Sequence, residues 1–174
     1  MRFTLCTIGF AGKTADQFFR LLKDGGVQKV IDIRENRIGQ LAGFAKVPDL
    51  AFFLERVAGI AYSYAPELAP SAEIRKAYRK SKDWGAYESS FLQLMRDRGV
   101  PQKIDPADYE GTVALLCSEP GPEKCHRRLV AELLAEYWRA QGHSVEVKHL
   151  FTEKLKPEKK RKKKPASDDG AHPE

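Results

Sequence analysis

Cysteine is scarce in this sequence, and long apolar runs are missing. The 174 residues include three cysteines, an odd number without the regular spacing of a disulfide framework. This excludes the class of small exported domains that disulfides hold together. The longest apolar runs, residues 51–54 and 113–117, are far shorter than the roughly 20 residues that span a bilayer. Residues 1–7 contain no leader-length apolar stretch. We therefore expect a cytoplasmic protein with reduced thiols and no membrane partner.

Acidic residues are outnumbered by basic ones, but the excess is concentrated near the C-terminus. The net charge is +6, yet residues 1–150 carry 22 basic and 19 acidic side chains. Residues 154–164 alone contain eight Lys or Arg with one Glu. This stretch has no apolar periodicity and cannot bury enough surface to offset the entropy of ordering. We predict one folded domain, residues 1–151, followed by a disordered polybasic tail, residues 152–174.

Short β-rich runs alternate with amphipathic stretches through the first 150 residues. Thr14 and Gln17 have the spacing of a capping box at the start of a helix, and Gly59 and Gly142 are placed to end two others. The predicted strands are residues 3–9, 27–33, 60–64, 112–117 and 144–150, and the later helices are 49–57, most of 72–98, and 124–141. We predict an α/β fold with a doubly wound, mainly parallel five-stranded sheet and helices on both faces.

Ligand sites in such sheets lie beyond the carboxyl ends of the strands, so the residues that follow each predicted strand are the candidates for a site. Residues 12–14 read Gly-Lys-Thr between a strand and a helix, as in a phosphate-binding loop. The first glycine of that loop is replaced by Thr7, so we interpret the segment as a turn and helix cap. Gly9 remains a candidate ligand-binding residue, because glycine lets backbone N–H groups approach an anion.

The most specific pattern is the segment 117–127, Cys-Ser-Glu-Pro-Gly-Pro-Glu-Lys-Cys-His-Arg. It places Cys117 at a strand end and Cys125 in the first turn of the next predicted helix. The helix dipole and flanking cations favour a thiolate there. We predict that Cys125 is a nucleophile with a lowered pKa and that Cys117 is a second catalytic thiol in the same cleft.

The remaining polar residues of this segment suit acid–base and anion-binding roles. Glu119 and His126 are candidate general acid–base groups, and Arg127 offers a guanidinium fork for carboxylate or phosphate. The alternative is structural: the two cysteines pack as small apolar side chains, and His126 and Arg127 face solvent.

Established thiol and metal motifs do not match this spacing. A phosphatase-type loop needs an arginine six residues after its cysteine, and no two cysteines are close enough in sequence for a thioredoxin-like pair. A zinc site can use Cys117, Cys125 and His126, but neighbours on a helix diverge by about 100° and no fourth ligand is evident. We predict no metal and no cofactor.

The second and third predicted strands supply three further candidate ligand-binding residues. Asp32 and Arg34 alternate along a strand, so both lie on one face, where Asp32 can pair with Arg34 or Arg127. A structural ion pair is the alternative to ligand binding. Base stacking is the role suggested for Tyr62 and other aromatic residues, and core packing is the alternative. The other residues are Tyr64, Trp84, Tyr87 and Phe91.

These residues together resemble the family called domain of unknown function 488. The resemblance implies that the Asp-Arg pair and the Cys/Glu and Cys-His-Arg elements are signature residues, without implying an established activity. After the second strand, family members commonly carry Asn-Pro followed by a Ser-Arg pair, whereas residues 36–40 of this chain read Asn-Arg-Ile-Gly-Gln. Family members also usually lack the Gly-Lys-Thr sequence that this chain has at residues 12–14. The motifs span about residues 3–150: Thr7-Ile8-Gly9, Asp32-Ile33-Arg34, Gly43-Phe44, residues 59–62 with Pro66-Glu67-Leu68, Cys117-Ser118-Glu119-Pro120 and Cys125-His126-Arg127.

Two classes of function follow. As an enzyme, the protein would act on a nucleotide, nucleic acid or other phosphorylated ligand, with Cys125 as nucleophile and Arg34 and Arg127 holding the anion. As a binding module, it would recognise a nucleotide or nucleic acid without chemistry, and its cysteines would be structural. In either case we expect the basic tail to attract polyanions by charge alone.

Overall fold

A computed structural model describes residues 1–39 and 42–152 of the chain. One segment, Phe53–Ala58, is a wider π-helical turn that ends at Gly59 with a left-handed φ of 68°. The predicted tail lies outside the described residues from position 153 onward. In chain order the elements are β1 Arg2–Gly9, α1 Ala15–Asp24, β2 Lys29–Asp32, α2 Asp49–Phe52, β3 Ala61–Tyr64, α3 Ala72–Ser81, α4 Trp84–Arg98, β4 Gly111–Cys117, α5 His126–Ala140 and β5 Ser144–Leu150.

The strands form one sheet in the order β3-β2-β4-β1-β5, and every strand pair is parallel. Gly9 at the end of β1 lies opposite Cys117 at the end of β4. Asp32 at the end of β2 lies opposite Leu116 of the same β4 strand. The carboxyl ends of β1, β2 and β4 therefore meet at one edge of the sheet.

Helices cover both faces of this sheet, which confirms the predicted doubly wound α/β fold. Leu5 belongs to the apolar core on the face of α4 and α5, together with Trp138. Ile8 belongs to the core on the opposite face, where Phe18 of α1 packs. These four side chains are fully buried, and each contributes about 1.5–3 kcal/mol or more relative to an exposed position. The alternation of side chains along parallel strands thus gives the sheet two buried faces.

Local signals account for most element boundaries. Thr14 and Gln17 form the predicted capping box, with hydrogen bonds of 3.0 and 3.2 Å between their side chains and backbone N–H groups. The helix predicted at 124–141 is shorter, because Cys125 is its N-cap in extended backbone (φ −143°, ψ 136°). None of the helices in the described ranges is both long enough and apolar enough to span a membrane.

Candidate active site at the carboxyl edge of the sheet

A cavity of about 450 Å³ opens where the neighbouring strands β2 and β4 end. Its floor comes from the end of β4 and the start of α5, and its walls come from the segment after β2 and from α3 and the start of α4. Five of the predicted site residues line it: Arg34, Cys117, Glu119, Cys125 and His126. The other four, Gly9, Asp32, Tyr62 and Arg127, lie outside the lining.

A larger depression of about 710 Å³ lies between α1 and the helical segment 49–58. Its lining is mainly apolar, with Phe19, Phe44 and Phe53 among the contributing side chains. It contains none of the predicted site residues, and it brings no thiol or histidine together with a charged group. The smaller cavity is therefore the candidate site.

Two sulfur atoms form the floor of the cavity, and the guanidinium of Arg127 lies beneath them. Cys117 Sγ lies 2.8 Å from Cys125 Sγ, and Arg127 Nη1 donates to Cys117 Sγ at 2.9 Å. The same Nη1 lies 3.6 Å from Cys125 Sγ. Arg127 is fully buried, so water screens little of its attraction for a negative sulfur. The structural alternative in which Arg127 faces solvent is therefore wrong.

The two thiols have opposite proton affinities. Burial raises the pKa of Cys117, but the hydrogen bond with Cys125 and the charge of Arg127 outweigh burial and lower that pKa to about 7. Burial raises the pKa of Cys125 well above its ordinary value, and the adjacent Cys117 sulfur raises it further. Negative charge is therefore favoured on Cys117, which also has the shorter of the two contacts with Arg127, and the proton is favoured on Cys125.

The sequence-based assignment of the lowered pKa to Cys125 is therefore wrong. That prediction depended on a helix beginning at residue 124, which would place Cys125 inside the first turn. Because the helix begins at His126, Cys125 instead meets Cys117, and Arg127 stabilises the negative charge on Cys117. The absence of a close-spaced cysteine pair in the sequence was also misleading, because the fold brings together two cysteines eight positions apart.

His126 is held in one orientation by the residue that follows β2. Its Nε2 lies 3.1 Å from the carbonyl oxygen of Ile33, so Nε2 carries the proton of the neutral ring and Nδ1 remains an acceptor. The ring packs against Phe91 at a centroid distance of 5.8 Å. Burial lowers the pKa of His126 to about 4, partly opposed by the hydrogen bond to Ile33. His126 is therefore neutral at neutral pH and has no proton to donate from Nδ1.

Glu119 shapes the floor with its backbone and the mouth with its side chain. Its N–H donates to Cys117 Sγ at 3.3 Å, and its carbonyl oxygen accepts from Arg127 Nη1 at 2.6 Å. Its side chain is exposed and lines the cavity. A ligand in the cavity can therefore reach the carboxylate of Glu119, which is one of the two predicted acid–base groups.

Gly9 and Lys13 support the floor from behind. A Cβ atom at Gly9 would overlap the carbonyl oxygen of Glu119 and lie 2.6 Å from Arg127 Nη1. Glycine is therefore required for this close approach, rather than for direct lining of the cavity. Lys13 Nζ donates to the carbonyl oxygen of Pro120 at 3.2 Å. Burial lowers the pKa of Lys13, and the charge of Arg127 lowers it further. The Gly-Lys-Thr sequence at residues 12–14 gives no sign of this contact, because the lysine of a nucleotide loop binds phosphate rather than a backbone carbonyl.

Asp32, Arg34 and Tyr62 form a network at the end of β2. Arg34 donates from Nε and Nη2 to the two carboxylate oxygens of Asp32 at 2.8 and 2.7 Å, and from Nη1 to the carbonyl oxygen of Ala45 at 2.8 Å. Tyr62 donates from Oη to Asp32 at 2.8 Å. Asp32 is fully buried and Arg34 is 4% exposed, so this is the structural ion pair that the sequence left as an alternative. Ligand binding by these three residues stays a prediction.

The cavity wall formed by α3 and α4 contains two of the aromatic residues suggested for base stacking, Trp84 and Tyr87, and others that the strand-end argument did not identify. Trp84 and Tyr87 stack with ring centroids 4.9 Å apart, and Tyr87 reaches down into the apolar core. No local motif marks this wall, because its residues reach the site only through packing of α3 and α4 over the sheet edge. The wall residues are the cations Arg75, Arg79 and Lys82 and the aromatic residues Tyr78, Trp84 and Tyr87.

The cations around the cavity differ in whether they already have partners. Arg75 forms an ion pair with Glu35, and Arg34 is paired with Asp32. The ion pairs found across residues 1–39 and 42–152 involve none of the remaining lining cations, Arg79, Lys82 and Lys124. The cavity therefore has positive groups available to an anionic ligand.

Three potential metal ligands also meet on the floor. The ligand atoms of Cys117, Cys125 and His126 all lie within 4.8 Å of one another. The sequence argument that adjacent Cys and His diverge does not apply, because Cys125 precedes the helix. Two thiols and an imidazole suit zinc, but the Arg127 cation contacts both sulfurs and opposes a second positive charge there. We assign no metal to this cluster.

The all-parallel sheet and its thiol–guanidinium cluster define a doubly wound α/β domain with a candidate site at the strand ends. The family model described as "Domain of unknown function DUF488" matches residues 14–134. This match covers more than half of the chain and includes the segment 117–127, and the chain belongs to that family. Comparisons with curated proteins and with solved structures gave no match.

Proposed function

We propose that this protein binds a phosphorylated ligand, such as a nucleotide or a nucleic-acid end, in the cavity and acts on it through the Cys117 thiolate. The observation that carries the proposal is the contact between Arg127 and Cys117, 2.9 Å long and buried beneath the cavity floor. A fixed guanidinium lowers the cost of a charged sulfur, and a thiolate is the reactive form of cysteine.

The ligand class is inferred from the cavity walls. Arg79, Lys82 and Lys124 line the cavity without ion-pair partners among the described residues, and such groups favour phosphate or carboxylate. Trp84 and Tyr78 add aromatic surface to the same wall, against which a planar base can stack. A ligand that joins an anion to a planar ring therefore matches both parts of the wall.

The chemical step assigned to Cys117 is nucleophilic attack. A bond forms between its sulfur and the electrophilic centre of the ligand, and the leaving group departs with the electrons of the broken bond and takes up a proton. Cys125 is the nearest proton source, because its thiol remains protonated 2.8 Å from Cys117 Sγ. Glu119 at the cavity mouth can then relay protons with solvent.

Thermal-shift measurements with nucleotides and phosphorylated metabolites test the binding step, with the dephosphorylated compounds as controls. A ligand at 100 times its Kd stabilises the folded protein by about 2.7 kcal/mol. The double variant Arg79→Gln/Lys124→Gln should weaken binding about tenfold or more, since a charged hydrogen bond contributes about 1.5–3 kcal/mol. Arg96→Gln is the matched control, because Arg96 is exposed on α4 and bonds to Gln93. Equal affinity for phosphorylated and dephosphorylated compounds would refute the proposed ligand class.

A second function is favoured by one observation. Cys117 has no exposed surface, which suits a structural thiol in a module that binds a nucleotide or nucleic acid without chemistry. Cys117→Ser separates the two functions. For an enzyme, the variant binds the ligand but loses turnover. For a binding module, the wild-type protein binds the same ligand and converts none of it.

A further inference from the structure

Cys117 and Cys125 are arranged as a pair of thiols that can be joined. Their sulfur atoms lie 2.8 Å apart, and neither cysteine is bonded elsewhere. A disulfide needs a separation of about 2.05 Å. The two sulfurs therefore have to approach by less than about 1 Å, a movement of the size that side-chain rotation provides.

The pair also has the asymmetry that oxidation and reduction require. Oxidation begins at a thiolate, which Arg127 stabilises at Cys117, and it is completed by a nearby resolving thiol, which Cys125 supplies in protonated form. In the reverse direction, exchange is fastest when the departing sulfur is the better leaving group. Cys117 is the better leaving group, because its pKa is lowered. Cys125 is the sulfur that a reductant reaches first, because it is 2% exposed and Cys117 is fully buried.

We propose that Cys117 and Cys125 form a reversible disulfide, which a small peroxide entering the cavity generates and a dithiol removes. The formation of this bond requires no ligand, but its effect as a switch of the site rests on the proposed function. Oxidation would remove the nucleophile and the negative charge that Arg127 faces.

The oxidation balances in two steps. The Cys117 thiolate attacks the peroxide, so that an S–O bond forms and the O–O bond breaks, and the departing oxygen leaves as water or an alcohol after taking up a proton. The Cys125 sulfur then attacks the sulfenic acid on Cys117. The S–S bond forms, the S–O bond breaks, and the hydroxide leaves as water with the Cys125 proton. Two electrons pass from the two sulfurs to the peroxide.

Reduction by a dithiol breaks the disulfide and returns the two cysteines to a thiolate and a thiol. The thiolate of an external dithiol attacks Cys125, forming a mixed disulfide and releasing Cys117 as a thiolate. The second thiol of the reagent then attacks the mixed disulfide and frees Cys125. The dithiol becomes a disulfide and supplies the two electrons.

The third cysteine is an internal control for this chemistry. Cys6 lies fully buried in the core on the face of α1 and α2, away from the cavity. Burial raises its pKa to about 11, which keeps it in the unreactive thiol form at neutral pH. A reaction directed by the site should therefore spare Cys6 in the folded protein.

The test uses the full-length reduced protein treated with hydrogen peroxide at neutral pH. Intact mass should fall by two hydrogens per chain, and peptide mapping should find Cys117 joined to Cys125. Dithiothreitol should restore the original mass. Cys6→Ala should behave like the wild-type protein, whereas Cys125→Ser should accumulate a sulfenic acid on Cys117 that dimedone labels. Arg127→Met should slow disulfide formation about fivefold or more, because the loss of a charged hydrogen bond lowers the thiolate fraction of Cys117 by about that factor.

Peroxide that produces only sulfinic or sulfonic acid on Cys117, a disulfide to Cys6, or no change in the folded protein would overturn the proposal. Ligand binding by the reduced protein is measured separately by thermal shift. If a phosphorylated ligand binds but no disulfide forms, the redox proposal fails and the proposed function stands. If the disulfide forms but no phosphorylated ligand binds, the proposed function fails and the redox proposal stands.

Discussion

Replacing Arg127 with methionine removes the guanidinium that contacts both sulfurs while keeping much of the side-chain volume. The Cys117 pKa of about 7 makes about half of this thiol ionised at neutral pH, against about one in a hundred at its ordinary value of 9.0. Arg127 shares the lowering of this pKa with Cys125 and the Glu119 N–H, and a hydrogen bond to a charged group contributes about 1.5–3 kcal/mol. Its loss should therefore raise the Cys117 pKa by about one unit or more and lower the thiolate fraction at neutral pH about fivefold or more.

The ultraviolet absorbance of the thiolate, followed from mildly acidic to alkaline pH, measures this change. Subtracting the titration of Cys117→Ser isolates Cys117, and iodoacetamide labelling with peptide mass spectrometry gives a second readout. Arg127→Lys retains the charge and should keep the midpoint below that of Arg127→Met. Arg128→Met is the matched control, because Arg128 pairs with Glu132 on the helix surface. If Arg127→Met folds and titrates like the wild-type protein, the guanidinium does not hold the thiolate.

Three further substitutions test the scaffold. Gly9→Ala should destabilise the protein by about 1–3 kcal/mol in denaturant unfolding, because the added methyl group overpacks the site. Gly43→Ala is the control and should have little effect, because the space around Gly43 is open. Equal losses of stability in the two variants would contradict the role of Gly9. Tyr62→Phe should cost about 1–2 kcal/mol in the same assay because it removes a hydrogen bond to buried Asp32, and unchanged stability would exclude that contribution. Because burial lowers the pKa of His126 from 6.5 to about 4, the unfolded chain binds more protons than the folded one within this window. Stability should therefore fall on the order of 2–3 kcal/mol on acidification through it, and His126→Gln should lose that part of the pH dependence.

The fold was predictable because its signals are local and repeated. A buried parallel strand appears in sequence as a short apolar run, as in Gly111–Cys117. A helix between two such strands is marked at its ends, as by the capping box at Thr14 and the glycine after Ala58. The strand Ser144–Leu150 has the predicted limits. The apolar pattern identifies each strand or helix, and the caps and glycines mark where helices begin and end. The resulting alternation of strands and helices predicts a parallel sheet.

The start of α5 was harder to predict, and this small difference reversed the roles of the two thiols. Cys125 occupies the N-cap without a side-chain hydrogen bond to the helix. A serine, threonine or aspartate there would have marked the boundary, but a cysteine gives no such signal. The two-residue difference in the helix start places Cys125 before the first turn, while Arg127 and the Glu119 N–H donate to Cys117.

Contacts between distant segments account for the rest of the site. Lys13 reaches Pro120 from 107 positions away, and Arg79 reaches the cavity from a helix whose sequence carries no binding motif. The prediction that strand ends share one edge placed Cys117 and Arg34 correctly at the cavity. It gave no means of predicting which helix covers that edge, because the packing of α3 and α4 depends on the whole core.

The cations near the cavity divide into two groups with different tasks. Arg34 and Arg127, which the sequence suggested as anion-holding residues, are buried and have partners, Asp32 and the Cys117 sulfur. A ligand that recruited either guanidinium would have to leave a buried negative group unpaired, which costs several kcal/mol. Arg79 and Lys124 carry no such cost, because neither belongs to an ion pair within residues 1–39 and 42–152. We therefore expect the buried pair to set the reactivity of the thiol and the wall cations to set ligand affinity, so that the two properties can change independently.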